Sequence, residues 1–142
     1  MEEHQVLIGE EQLFHFVGEL FQYAGMPRED ALMHARALVD TDLWGISSHG
    51  VMRVPAYFTR MLNGAIRVRP QIHKAAGDGA LEVLDGDAGA GIVVGCRAMD
   101  RAIELAKTHH IAAVGVRNSN HFGAGAIYAR MAAERGMIGI AM

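Results

Sequence analysis

Cysteine is nearly absent from this chain. Cys96 stands alone, so there is neither a disulfide framework nor a thiolate zinc site, a usage that fits a reducing compartment. Long apolar runs are missing as well. No window approaches the roughly 18 consecutive apolar residues of a membrane span, and the acidic N-terminus MEEHQVLIGEE lacks the apolar core of a secretory signal. Nor does either sign of charge dominate. The 13 basic and 16 acidic residues give a formal net charge of −3, mixed along the chain, which offers no basic face to nucleic acid and no polybasic arm to a membrane. These absences leave a cytoplasmic protein of small-molecule chemistry. What is present agrees: 142 residues with 51% hydrophobic and 20% charged content describe a globular protein of about one domain.

From Glu10 to Gly25, residues Leu13, Val17, Leu20 and Ala24, joined by Phe14 and Phe21, fall on one stripe at helical spacing. Pro27, Glu29 and Asp30 open a second helix, which continues through Ala31, Leu32, Ala35, Leu38 and Val39 to about Leu43 and stops at Gly45. Pro55 lacks an N–H and cannot sit deep in a helix, so a third helix starts near Val54 and ends at Asn63-Gly64. Ser47 to Arg53 then form a loop or the approach to that helix. After a polar segment at 67–79, ALEVLDG reads as a strand, GIVVGCRAMDRAIELAKTHH as a helix and IAAVGV as a second strand. A helix from about Ala124 to Arg135 and a final strand MIGIAM complete a β-α-β-α-β alternation. The fold class is therefore α/β, a helical segment followed by this unit. MIGIAM is a buried-type strand followed by nothing, which reads as a chain cut short.

Several motifs bear on function. In DGDAGAGIVVG the spacing Gly89-x-Gly91-x-x-x-Gly95 is one residue too long for the dinucleotide fingerprint, and no ribose-binding acid follows at the right distance. These glycines suit a tight turn and close helix packing. His109 and His110 sit where imidazolium favours a helix C-terminus. His4, His15, His34 and His73 occupy ordinary helix or loop positions with no ligand spacing around them, so no metal site is expected. SSHGVMR places His49 in a Ser- and Gly-flanked loop with Arg53 four residues on. That pattern offers a proton donor beside a cation able to grip a carboxylate, and equally a capping serine with His49 and Arg53 facing solvent. NSNHFGAG brings Asn118, Ser119, Asn120 and His121 to the carboxyl end of a strand, where α/β sheets bind ligands; a turn closed by asparagine side chains explains it as well.

Taken together, SSHGVMRVPAYFTRMLNGAI and VGVRNSNHFGAGAIYARMAAERGMIGIAM resemble the malate/L-lactate dehydrogenase type 2 family. This family of NAD(P)-dependent oxidoreductases includes ureidoglycolate dehydrogenase, sulfolactate dehydrogenase and 2,3-diketogulonate reductase. Ser48-His49-Gly50 with Arg53, and Asn118 through Gly123, occur in the family's order. The resemblance implies a non-Rossmann nicotinamide-binding sheet, with residues 1–70 in a helical catalytic and dimerisation domain and 71–142 opening the cofactor-binding domain. It implies hydride transfer between NAD or NADP and a small 2-hydroxy or 2-oxo acid of malate or lactate type, in a homodimer or higher assembly.

The roles implied are His49 or His121 as acid/base, with His49 slightly favoured for its nearness to Arg53, and Arg53 as carboxylate clamp. Ser48 orients His49 or the substrate oxygen, Tyr57 lines the site, and Asn118 and Ser119 shape the pocket floor. His121 and Gly123 border the cofactor, most of whose contacts are expected beyond Met142, since family members run to more than twice this length. A noncatalytic domain with an assembly or regulatory role is the alternative.

Overall fold

A computed structural model describes residues 6–142; His4 lies outside the described residues. Helix α1 spans Glu10–Tyr23 and α2 Arg28–Leu43. Two single 3-10 turns, Ser47–His49 and Val51–Arg53, lead into α3, Val54–Leu62. The second half runs β1 His73–Asp78, β2 Leu81–Gly89, α4 Gly91–His109, β3 Ala113–Ser119 and α5 Ala126–Ala133.

The first helices form for the reasons the spacing gives. Acids Glu10 and Glu11 sit in the first turn of α1, and Glu29 and Asp30 in that of α2, where the helix dipole favours negative charge. Val17 and Phe21 of α1 pack on Ala31, Ala35 and Leu38 of α2, all at most 1% exposed. At Gly18 a side chain would lie 2.9 Å from Leu32, so the two helices approach at a glycine. Burying a side chain such as Phe21 or Leu38 contributes about 1.5–3 kcal/mol. Gly25 at φ +98° and Gly45 at φ +79° end the two helices in left-handed backbone.

The sheet has the order β1-β2-β3, with β1 antiparallel and β3 parallel to β2. Helix α4 is the crossover between the parallel pair. It is tied to the sheet by Glu82, which is 4% exposed and receives two 2.7 Å hydrogen bonds from Arg101 and one of 3.2 Å from Lys74. The Arg101 guanidinium, helped by Lys74, holds the Glu82 carboxyl down to about 2. On its other side α4 meets α2, where Arg97 pairs with the buried Asp30 at 2.6 Å. One apolar core joins Phe21, Leu38, Tyr57, Ile92, Cys96, Ile127 and Tyr128 from five helices.

Three expectations change. Strand β1 lies inside the polar segment 67–79, where periodicity predicts none; its residues are mostly exposed, and it exists through backbone pairing to β2. Strand β3 begins two residues later than IAAVGV and continues through Asn118 and Ser119. MIGIAM joins no ladder among the described residues, so the observed order is β-β-α-β-α. An extended segment becomes a strand only with a hydrogen-bonded neighbour. Residues 137–142 instead lie along α5, with Gly139 against Ala129 and Ala132, while Ile138 is 95% and Ile140 73% exposed.

Candidate functional site

The site is assembled from two distant segments. The first is held by Asp42 at the end of α2, whose Oδ2 accepts the Val51 N–H at 2.8 Å. Gly50 lies directly against that carboxylate, and any side chain there would collide with it. This contact sets the Ser48-His49 turn beside the start of α3. Within it Ser48 Oγ and His49 Nδ1 are 2.9 Å apart, and Arg53 Nε donates to the Ser48 carbonyl at 2.7 Å. The rest of the Arg53 guanidinium keeps donors for an anion. Arg53, Tyr57 and Arg60 follow one another at helical spacing and share one face.

The second segment is the loop after β3. Asn118, at φ +50°, turns its amide to Asp85 Oδ1 at 2.9 Å, and Arg117 reaches Asp85 Oδ2 at 3.0 Å. Asn120 acts as a clamp. Its amide donates to the carbonyls of Ala88 at 2.8 Å, Gly89 at 3.0 Å and Ala65 at 3.5 Å, while its oxygen accepts from Arg60 at 2.9 Å. Gly91, the first residue of α4, has no room for a side chain because the backbone carbonyls of Asn120 and His121 cover it. A Cβ at Gly95 would lie 2.6 Å from the Tyr128 ring, and one at Gly86 3.0 Å from the Asn118 carbonyl. The glycines at 86, 91 and 95 thus seat the His121 loop and α5, because each lies where a side chain would collide with one or the other.

His121 is where the two segments meet. Its Nδ1 lies 2.7 Å from the Tyr57 hydroxyl and accepts the Gly123 N–H at 3.4 Å. Its ring stacks on that of His49, centroids 5.5 Å apart and 29° between planes. Burial, then the charges of Arg53, His49 and Arg60, lower the His121 pKa. Burial raises that of Tyr57, against the opposing pull of Arg53 and Arg60. Tyr57 is 4% exposed and rests on the ring of His34, 5.2 Å away.

Of the residues marked in the sequence, Ser48, His49, Arg53, Tyr57 and His121 come together. Asn118 is engaged with Asp85 instead, and Ser119 ends β3 as the ladder partner of Gly89. Gly123 is buried at φ +74°, where a Cβ would lie 3.0 Å from Ile92; it shapes the loop from below. Arg60 and the clamp role of Asn120 were missed, although Arg60 lies two helical turns after Arg53 and so shares its face. Nothing in the sequence marks His34, buried beneath Tyr57. The arrangement groups two imidazoles, a phenol and a guanidinium, enough to hold a carboxylate and exchange a proton with a neighbouring oxygen.

Comparison with known proteins places the chain in a family. Residues 8–142 match the malate/L-lactate dehydrogenase family model. The chain is 46% identical over all 142 residues to malate dehydrogenase of Pyrococcus abyssi, covering 39% of that protein. It is 44% identical over 116 residues to L-sulfolactate dehydrogenase of Methanocaldococcus jannaschii, covering 82% of this chain and 34% of that one. The solved structure of malate dehydrogenase from Pyrococcus horikoshii OT3 superposes with a TM-score of 0.92 at 39% identity, over 95% of this chain and 39% of that one. The chain spans about two-fifths of the length of these relatives and belongs to the malate/L-lactate dehydrogenase family.

Proposed function

We propose that this chain forms the proton-handling part of an NAD- or NADP-dependent oxidoreductase acting on a small 2-hydroxy or 2-oxo acid of malate or lactate type. The observation that carries this reading is His121, pinned through Nδ1 by Tyr57 and stacked on His49 beside Arg53, in a chain of this family. The bound nicotinamide would supply or accept the hydride. Among the residues present, His121 and the loop around it would suit its reactive end. His121 would border the nicotinamide, with Gly123 holding the loop beneath, and the rest of the nucleotide would be held elsewhere.

His121 exchanges the proton of the substrate oxygen at Nε2, because Nδ1 is taken up by the protein. His49 stacks against it, its ring centroid 5.5 Å away. Ser48 orients His49 through Nδ1, and Arg53 grips the substrate carboxylate with the donors left free by its bond to the Ser48 carbonyl. Asn118 and Ser119 would support the site only indirectly, one through Asp85 and the other through the strand ladder. We place residues 1–70 in the catalytic and assembly part and 71–142 at the start of the cofactor part, in a cytoplasmic homodimer or higher assembly. No helix among the described residues is long and apolar enough to cross a membrane.

The test is turnover of 2-oxo acids by the complete polypeptide, followed by nicotinamide absorbance. His121→Ala and His49→Ala should each lower it roughly 10²-fold or more, the usual scale of lost acid/base help. Near-normal turnover in both would refute the assignment, and absence of turnover in the native protein would favour a noncatalytic role.

A further inference from the structure

The Nδ1 atom of His121 faces two donors. The Gly123 N–H, at 3.4 Å, can only donate; the Tyr57 hydroxyl, at 2.7 Å, can donate or accept. An unprotonated Nδ1 satisfies both, which places the proton of the neutral imidazole on Nε2. Such an imidazole cannot simply surrender its Nε2 proton, since it would be left an anion. It can do so if Nδ1 gains a proton in the same step, and the hydroxyl in contact with Nδ1 belongs to Tyr57.

We propose that Tyr57 acts through His121 as a positioning and proton-supplying residue. As negative charge develops on the oxygen of a 2-oxo acid, that oxygen takes the Nε2 proton of His121. The Tyr57 O–H bond breaks, and an Nδ1–H bond forms. One N–H and one O–H bond are lost and one of each is made. The negative charge passes from the substrate oxygen to the Tyr57 oxygen, which later regains a proton from solvent. This inference rests on the reading of His121 as the acid/base.

The surroundings suit the transfer. Arg53 and Arg60 flank Tyr57 on its own segment and offset a negative oxygen there, as both lower its pKa. From the other elements it is faced by the neutral ring of His34 on α2, 5.2 Å away, and by Tyr128 on α5, on which it acts electrostatically. His49, 5.5 Å from His121, adds repulsion against an imidazolium. Burial of Tyr57 keeps its proton in place through the neutral range until the substrate oxygen draws on it.

The relay has a signature that a merely structural tyrosine lacks. An isolated imidazole donates well only as imidazolium, below about pH 6.5; with Tyr57 behind it, His121 donates above that range too. The experiment is the pH profile of 2-oxo acid reduction from pH 5.5 to 9 in the complete enzyme and in Tyr57→Phe, together with nitrogen NMR of the His121 ring in the native protein. The native kcat should stay level above pH 6.5. Tyr57→Phe should be at least roughly ten-fold slower than the native enzyme at pH 8, with the deficit narrowing steadily as pH falls toward 5.5 and more of the imidazole brings its own second proton. At pH 8 the ring proton of native His121 should reside on Nε2. A proton found on Nδ1, a Tyr57→Phe profile parallel to the native one, or a rise confined to KM would each overturn the relay. The NMR result stands even if the variant folds poorly. Activity surviving in His121→Ala would remove the acid/base reading itself, whereas an inactive His121→Ala with a native-like Tyr57→Phe profile would remove the relay alone.

Discussion

Replacing His34 by phenylalanine should flatten the acid side of the protein's stability curve. The imidazole is 1% exposed, stacked on Phe21 at 4.6 Å, and neither ring nitrogen finds a partner among the described residues. Burial therefore pushes its pKa from 6.5 down to about 3. Because the folded value lies below the unfolded one, the unfolded chain binds a proton that the native state refuses between those two pH values. No stability is lost above about pH 6.5. Below it the native state loses about 1.4 kcal/mol per pH unit until the loss levels off near pH 3. Between pH 7 and pH 5 that amounts to about 2 kcal/mol, a large share of a typical stability of about 5–15 kcal/mol. Urea unfolding of the native protein and of His34→Phe at both pH values measures it. The lowered pKa of His121 acts in both proteins and cancels in the comparison. The native protein should lose about 2 kcal/mol more than the variant; equal losses would mean that His34 is protonated, or reached by water, in the folded state.

Two further outcomes test the site's scaffold and its clamp. Gly91→Ala should lower the thermal midpoint and disturb the His121 loop, although alanine is the better helix former by about 1 kcal/mol, because the new methyl would meet the carbonyls of Asn120 and His121; overpacking of this kind costs about 1–3 kcal/mol, and a raised midpoint would refute the contact. Arg53→Ala should raise KM for the 2-oxo acid roughly ten- to hundred-fold, the worth of a charge-assisted hydrogen bond of about 1.5–3 kcal/mol, with cofactor affinity unchanged; an equal loss of cofactor affinity would show that Arg53 does not act as a carboxylate clamp.

Much of the site was legible before any fold was known. Ser48, His49, Arg53 and His121 stood in motifs that a cap or a turn explained equally well, and their roles and that of Tyr57 came with the family resemblance; the structure brings the five together. Asn118 stood in such a motif too, yet its amide serves Asp85, because an asparagine at a strand end finds the nearest carboxylate before it finds a ligand. Asn120 drew no role from the sequence, since its value lies in reaching Ala65, Ala88, Gly89 and Arg60 at once, and those partners are neighbours only after folding.

The division between sequence and tertiary structure follows the range of the forces involved. Helices α1, α2 and α3 could be placed from the sequence because spacing, acids in first turns, Pro27 and Pro55, and glycines at Gly25, Gly45 and Gly64 act within a few residues. Pairing could not be read that way. Strand β1 exists because β2 offers it a free edge, and MIGIAM stays unpaired because no strand of the described residues lies beside it. The contact that defines the site, Tyr57 with His121, joins residues 64 positions apart. Packing against His34 and the seating of the loop on Gly91 bring these two side chains together, and neither contact is set by spacing within a few residues.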